Sequence, residues 1–556
     1  MPMPPSSLIL VPWLERGMEM AIDAVIILAA GKSKRMKTGI SKVLHPLLSR
    51  PMIVYGIELA SKLRPRKIIV VVGPESRDVR KVCRQECLHS SQECLHPSQE
   101  CLHPSQECLH PSQECLHPSQ ECLHPSQECL HPSQECLHPS QECLHPFHAR
   151  RLKNRGPRIE FAVQKKPLGT ADAVRAGLPR LKGLQGSALI YYADNPLFRV
   201  DTIRSLVRAK DKSRAKLALL TAIYPEPAAF GRIIRDRQGR IRAIIEDKDC
   251  TNAQKSIKEM NPGVYLADIG FLKAALSKIK PDNRQKELYL TDMVKVAVKN
   301  GLGVATATAP DWKETFGINS RADLAQAANI MREQINAQWM AAGVTIEDPG
   351  TVLIEPGVSI GRDTVIESGS RLLGRTRIGK NCRIQAHSRI VDSVLADNVE
   401  IRQGSVIEGS RIGRGTNIGP MAHVRPGSMV GRNVRIGNFV ELKKAVVGDE
   451  TIAAHLSYLG DAIIGRRVNV GCGVITCNYD GARKNVTIIG DDAFIGSDTQ
   501  LVAPVRIGKG AYIGSGSTIT ADVPARRLAI ARARQVVRPL PEAQLKNKGE
   551  RSSPVR

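Results

Sequence analysis

Aromatic residues are scarce: Phe, Trp and Tyr make up 4% of a 556-residue chain in which 42% of residues are hydrophobic. The core is therefore aliphatic, and surfaces on which unpaired bases could stack are few, which argues against nucleic acid as a partner. Long apolar runs are also missing. None approaches the ~18 residues of a membrane span. Near the start, Leu8–Leu14 is broken by Pro12 and lacks the basic segment that precedes the apolar part of a secretory leader. A soluble, cytoplasmic protein without membrane insertion is expected. The Cys-x-x-Cys pairs of a zinc site are absent outside the repeats. So are Gly-x-Gly-x-x-Gly and the Walker Gly-x-x-x-x-Gly-Lys-Ser/Thr, and dinucleotide redox and P-loop chemistry lose ground.

What is abundant is positive charge. Lys plus Arg number 80 against 54 Asp plus Glu, a formal net charge of +26, which favours anionic partners without choosing among them. At 556 residues the chain exceeds the size at which one core keeps growing, so two domains are expected. Nine of the 14 cysteines (Cys87, Cys94, Cys101, Cys108, Cys115, Cys122, Cys129, Cys136 and Cys143) lie in a nearly perfect Ser-Gln-Glu-Cys-Leu-His-Pro repeat, which also holds nine of the 14 histidines. This tract, residues 86–146, has a proline in nearly every unit and one leucine per unit, so it makes no continuous helix and buries no core. Its functional reading is a soft-metal site built on recurring Cys-x-His; the plainer reading, which composition favours, is an expanded surface tract. Cys83, Cys250, Cys382, Cys472 and Cys477 lie outside it and read as reduced thiols.

A second repeat has a period of six. Ile412, Ile418, Val424, Val430 and Ile436 are followed by glycine at four of the five positions, and the pattern returns at Ile489, Ile495, Leu501, Ile507, Ile513 and Ile519. Such periodicity signals a parallel β-solenoid, in which each unit of strand and turn points one aliphatic side chain inward and three units close one triangular coil. Coils of this kind pack side by side.

The first half alternates short apolar runs (Ala24–Leu28, Lys67–Val72, Ala188–Tyr192) with helix-like stretches (Ile53–Leu63, Ala171–Leu178), the grammar of a Rossmann-like α/β domain with a mainly parallel sheet. Ligands of such sheets bind at the carboxyl ends of the strands. Ala29-Ala30-Gly31-Lys32-Ser33-Lys34-Arg35 after the first strand is then a phosphate cradle, with Lys32, Arg35 and Lys42 to offset charge.

Leu28-Ala29-Ala30-Gly31-x-x-x-Arg35-Met36, followed by Lys42-Val43-Leu44, resembles the opening of the sugar-nucleotide pyrophosphorylases. Further on stand Val424-Arg425-Pro426-Gly427, Asn438-Phe439-Val440-Glu441, His455-Leu456-Ser457-Tyr458-Leu459-Gly460-Asp461 and Thr476-Cys477-Asn478-Tyr479-Asp480-Gly481. With these the chain resembles, from about Met20 to Arg534, the bacterial bifunctional N-acetylglucosamine-1-phosphate uridylyltransferase and glucosamine-1-phosphate N-acetyltransferase family. The resemblance implies acetyl transfer from acetyl-CoA to glucosamine-1-phosphate. Mg²⁺-dependent transfer of uridylyl from UTP to N-acetylglucosamine-1-phosphate then releases pyrophosphate and gives UDP-N-acetylglucosamine, a precursor of cell-wall peptidoglycan.

By the same resemblance Leu28, Ala29, Ala30, Gly31, Arg35, Lys42, Gln164, Gly169 and Thr170 would hold UTP, and Tyr192, Ala193 and Asp194 would follow, with Asp194 and Asn319 as the metal contacts. Gly231, Glu246 and Asn261 would receive the acetylated sugar phosphate. His455 would be the general base of acetyl transfer, a task suited to an imidazole. Arg425, Lys443, Tyr458, Asn469 and Lys484 would grip the sugar phosphate, and Cys472, Asn478, Tyr479, Ser497, Ser515 and Arg532 would lie along acetyl-CoA. His455 falls in Thr451–Gly460, expected to be an irregular insertion that breaks the six-residue period.

The chain departs from the family pattern in places. Ser33 and Lys34 replace Gly and Thr, Pro167 replaces a glutamine that reads uracil, Cys472 takes a small-residue position, and the Cys/His tract interrupts the first domain. Expected boundaries are an N-terminal extension at 1–20, a uridylyltransferase domain at 21–321, a linker helix at 322–345, a left-handed β-helix at 346–524 and a basic arm at 525–556. A homotrimer is expected. Two narrower readings stay open here: an acetyltransferase whose uridylyl half is impaired, and a metal-buffering scaffold.

Overall fold

The computed structural model describes residues 22–31, 34–84, 157–226 and 228–539. The N-terminal extension, Lys32, Ser33, the Cys/His tract and the end of the arm lie outside the described residues. The chain divides into two units, one ending at Ala328 and the other starting at Asn329.

The first unit is built on strands that read as continuous apolar runs because both of their faces are covered. Along β1 (Ile22–Ala29), Val25 and Ile27 pack into one cluster while Ala24, Ile26 and Leu28 pack into another on the opposite face. β1 pairs in parallel with β2 (Lys67–Val72), β2 with β3 (Arg158–Val163), and β1 on its other side with β4 (Ser187–Tyr192). Beyond β4 the sheet becomes mixed. Tyr265–Asp268 runs antiparallel between β4 and Leu217–Ile223, which also pairs in parallel with Val304–Thr308. Glu259–Asn261, Gly231–Arg235 (β5) and Ile241–Ile245 (β6) extend the sheet with antiparallel pairs. The expected helices are Met52–Lys62 (α1) and Thr170–Gly177 (α2). Helix α3, Arg321–Ala341, runs across the division between the units.

In the second unit Ile335 and Trp339 of α3 pack on the solenoid core, and Asn336 donates to the carbonyls of Pro349 and Val352, both at 3.0 Å. All rung pairs of the solenoid are parallel. One wall runs Arg383↔Glu400↔Asn417↔Arg435↔Ile452↔Asn469↔Phe494↔Tyr512, and its inward neighbours Ile384, Ile401, Ile418, Ile436, Ala453, Val470, Ile495 and Ile513 form a continuous apolar stack. Some buried hydroxyls are satisfied by the next coil, as when Thr364 donates to the Gly379 carbonyl at 3.0 Å. The glycine after each inward aliphatic answers to coil spacing: a Cβ on Gly413 would stand 2.4 Å from the Gly431 carbonyl oxygen.

The expected break at Thr451–Gly460 is not there. Ala453 and Leu459 are both buried six residues apart, and Ile452–Gly460 (β8) is one nine-residue strand in register with Arg435–Lys443 (β7). Alanine in place of a branched aliphatic at position 453 hides the period without interrupting it. The chain leaves the coil later, between the inward residues Thr476 and Ile489, in a loop where Tyr479 bridges to Lys484.

In sequence the Cys/His tract falls between β2 and β3, parallel neighbours whose connection needs only a dozen or more residues. Deleting Glu93–Gln141, seven repeat units, leaves ample chain for that crossover. Loop closure then costs less by about 0.6 kcal/mol per halving of loop length. The urea midpoint of the first unit's transition is expected to stay or rise slightly. A clear fall would mean that the tract supports the fold.

Candidate active sites

In the first unit the carboxyl ends of β1 and β4 meet. The Ala193 N–H donates to the Leu28 carbonyl at 3.0 Å, and the Ile318 N–H donates to the Asp194 carbonyl at 2.9 Å, which brings Asn319 to the same place. Lys42, from the turn Lys42–Leu44, places its ammonium on the Asp194 carboxylate and 3.1 Å from Asn319 Oδ1; the Arg35 guanidinium donates to that same oxygen at 2.9 Å. Asn319 is aimed by the start of α3: Asp323 accepts from the N–H groups of Asn319 and Ser320 at 2.8 Å each, and Ser320 Oγ accepts from the Asp323 N–H. This is a helix-capping box, and Ser320-x-x-Asp323 was its legible signal in the sequence.

One carboxylate and one amide oxygen thus converge on a single cation position. Both are hard oxygen donors, and two of them with substrate phosphates suit Mg²⁺, which keeps most of its waters. Below the site, buried Asn195 donates to the Thr315 carbonyl, Tyr224 shares a hydrogen bond with Thr315 Oγ1, and Thr202 donates to buried Glu314. The residue-by-residue reading contained none of these three supports of the 312–319 segment. Beside Gly31 the space is open, with no described atom within 4 Å of a Cβ placed there.

Gln164, buried just past β3, donates through Nε2 to the Gly169 carbonyl at 3.1 Å and to Asp172 at 2.9 Å. Both amide hydrogens are committed, which leaves Oε1 as an acceptor. Gly169 has φ +123°, and a Cβ there would lie 2.5 Å from the Leu288 carbonyl oxygen, so glycine is required. The Thr170 hydroxyl accepts from the Leu290 N–H at 2.9 Å, so it serves the framework. Pro167 is exposed.

Gly231 opens β5 opposite Glu246, which follows β6; a Cβ on Gly231 would lie 2.8 Å from Ile244 and 3.4 Å from Glu246. Burial pushes the Glu246 carboxyl above its usual range, with Asp249, Asp292 and Asp247 adding to the rise against a hydrogen bond from Thr291 at 3.0 Å. Burial likewise raises the Tyr192 hydroxyl, and the Glu246 and Asp194 charges add to it. Asn261 donates to the Tyr265 hydroxyl at 2.7 Å and accepts from the Gly263 N–H at 3.1 Å. The Tyr192 ring leaves no room for a side chain at Gly263, where a Cβ would lie 2.1 Å away.

In the second unit the candidate residues gather along one corner of the solenoid. On successive coils Phe439, Leu456, Gly473, Asp498 and Gly516 take left-handed φ values and turn the chain. The residue just before each turn is Asn438, His455, Cys472, Ser497 or Ser515. Backbone bonds stack them: Gly473 N–H to the Leu456 carbonyl at 2.8 Å, Asp498 to Cys472 at 2.7 Å, Gly516 to Ser497 at 2.8 Å, and the Arg532 guanidinium on the Ser515 carbonyl at 2.8 Å. Phe439 and Leu456 are bulky side chains held in a region they rarely adopt, and both are exposed. Such strain clusters at functional sites.

His455 is exposed, and its Nδ1 lies 3.0 Å from Asn438 Oδ1. An amide oxygen only accepts, so the proton resides on Nδ1 and Nε2 is left as the basic nitrogen. Asn438 therefore orients the candidate base, a role that the sequence reading did not assign although the residue stood in one of its motifs.

On the wall after the corner, Arg425 pairs with Glu441 at 2.9 Å, Glu441 is in register with Tyr458, and Lys443 is in register with Gly460. Asn478, buried, donates to Asp461 and reaches the Tyr458 hydroxyl at 3.4 Å, while the Lys484 ammonium lies 4.2 Å from the centre of the Tyr479 ring. Asn469 is not brought to this group. It sits on the wall before the corner, between Ile452 and Phe494.

Comparison with known proteins agrees with this division. The nucleotidyl transferase family matches residues 137–340 and the MobA-like NTP transferase domain matches residues 25–100. The EIF2B subunit epsilon LbH domain matches residues 339–442, and the bacterial transferase hexapeptide (six repeats) matches residues 487–521. The "Bifunctional protein GlmU" of Trichlorobacter lovleyi is 39% identical over 93% of this chain and 97% of its own length. That of Geobacter sulfurreducens is 40% identical over 92% and 97%, and that of Exiguobacterium sp. 39% over 92% and 97%. Matches that run through both units favour neither an acetyltransferase alone nor a metal-buffering scaffold. The chain belongs to the bifunctional GlmU family.

Proposed function

We propose that the solenoid unit acetylates glucosamine-1-phosphate from acetyl-CoA and that the α/β unit then joins the product to UTP. The observation that carries this reading is that each unit gathers a group of functional side chains of its own: Asp194, Asn319, Lys42 and Arg35 in one, and the His455 column in the other.

In acetyl transfer, Nε2 of His455 takes a proton from the sugar amine as its nitrogen attacks the thioester carbonyl, and the coenzyme leaves as its thiol. Asn438 holds the imidazole in the tautomer this requires. Arg425, Lys443, Tyr458 and Lys484 grip the sugar phosphate. Cys472, Ser497, Ser515 and Arg532, with Asn478 and Tyr479 beside them, line the coenzyme's path.

In uridylyl transfer, a phosphate oxygen of N-acetylglucosamine-1-phosphate attacks the α-phosphorus of UTP and pyrophosphate leaves, so positioning two anions in line does most of the work. The Leu28–Gly31 turn, Arg35 and Lys42 receive the triphosphate; Gln164 Oε1 accepts the uracil N–H, with Gly169 and Thr170 shaping that pocket. Tyr192, Ala193, Gly231, Glu246 and Asn261 form the sugar side. Asp194 and Asn319 would hold Mg²⁺, which when bound supplies neutralising charge for the phosphates.

A homotrimer supports the acetyltransferase site. Asn469 is separated by the corner from Arg425 and Tyr458, so a neighbour's wall would have to bring it there. Met429, Val446 and Ile463 form an exposed apolar stripe in register on a further wall. Exposed stripes of that kind mark association surfaces. A cytoplasmic location matches the five free cysteines of the described residues and the supply of UTP and acetyl-CoA.

Three outcomes test these assignments. His455→Ala is expected to lower acetyl transfer by roughly 10²-fold or more with uridylyl transfer intact; normal acetylation would remove His455 from its role. Asp194→Asn, or chelation of divalent ions, is expected to abolish uridylyl transfer while acetyl transfer continues, measured on one sample in separate assays. Co-expressed His455→Ala and Asn469→Ala chains should regain acetylation at roughly a quarter of the sites by random assortment in a closed ring. No recovery would place Asn469 in the same chain's site or outside any site.

A further inference from the structure

The ammonium of Lys42 stands between the two groups read as metal contacts, bonded to the Asp194 carboxylate and 3.1 Å from Asn319 Oδ1. It is partly buried, with side-chain exposures of 13% for Lys42 and 22% for Asp194, so the pair is only weakly screened by water. Asp194 is the single carboxylate paired with Lys42 among the described residues, and one negative charge does not offset both an ammonium and a divalent ion. The Arg35 guanidinium on the same Asn319 oxygen adds a further positive charge. A lysine is a point charge on a flexible stem, able to swing to another anion without losing a fixed bidentate geometry.

We propose that Lys42 is the exchangeable occupant of the cation position: in the nucleotide-free enzyme its ammonium fills the place of the divalent ion, and it moves onto the triphosphate when UTP and the ion enter together. The proposal rests on the reading of Asp194 and Asn319 as metal contacts. Its consequence is thermodynamic coupling. The ion binds weakly until the triphosphate draws Lys42 away, and by reciprocity the triphosphate binds weakly without the ion. Lys42 thus serves as a positioning residue that makes metal and nucleotide arrive as a unit.

The test is Mn²⁺ binding to the full chain without nucleotide, followed by loss of the free-ion signal in electron paramagnetic resonance. Lys42→Met is expected to bind Mn²⁺ about tenfold more tightly than the parent, within the usual range of site-to-site coupling. Lys42→Arg, which keeps the charge, should not. An unchanged urea midpoint of the first unit's transition in the same samples shows that the variants are folded. Equal or weaker binding by Lys42→Met, or no measurable binding by either protein, overturns the exchange. Adding Asp194→Asn to Lys42→Met separates the two readings. If the tight site disappears, the metal assignment stands and the exchange is supported. If it persists, the ion binds elsewhere and both readings fall.

Discussion

The inward stack of aliphatic side chains in the solenoid is the constraint on which most of the second unit depends. Ile384, Ile401, Ile418, Ile436, Ala453, Val470, Ile495 and Ile513 lie one above another, all nearly or fully buried. A one-residue slip in any strand would turn its buried side chain to solvent, so the register is strongly specified. Register in turn fixes the outside of the coil. Asn438 meets His455 because Ile436 pairs with Ala453 on the same strands, and Cys472, Ser497 and Ser515 follow because later coils repeat the step. Residues far apart in sequence become neighbours through packing that none of them takes part in.

The first unit reaches the same end differently. Its sheet is held by two apolar clusters on opposite faces, and its functional groups sit where strands stop. Strand ends lack ladder partners, so backbone groups there are free to tie loops together, as Leu28 does for Ala193 and Asp194 does for Ile318. Buried Thr202 and Tyr224 then hold the 312–319 segment through its Glu314 and Thr315. A site that stabilises developing charge gains from such rigidity, because dipoles already in place need not reorganise during the reaction.

The parts legible in the sequence were those with a short period or a contiguous motif. The six-residue repeat revealed the solenoid, and the apolar runs revealed β1, β2, β4 and the helices beside them. The antiparallel strands beyond β4 were not legible, since their pairing is set by contacts between distant segments. The break expected around His455 failed because Ala453 lacks the branched shape that marked the period, although it fills the same inward position. Asn438 and Asp323 escaped as orienting residues for a related reason: each acts through a partner, His455 or Asn319, and nothing in the partner's own motif announces the support.

Net charge is the least transferable of the sequence signals. The +26 excess pointed to anionic partners, yet many solenoid arginines are paired on the surface: Arg383 with Glu367, Arg389 with Glu408, Arg432 with Asp449, Arg466 with Asp491 and Arg467 with Asp492. Exposed pairs of this kind contribute about 0–1 kcal/mol each, and a net count does not say which cations face a ligand. Recognition of phosphate falls instead to a few cations whose direction is fixed by the fold. Arg35 and Lys42 both address Asn319, and Arg425 is held beside Tyr458 by Glu441. A cation whose neighbouring acid also belongs to the site can change partners when substrate arrives.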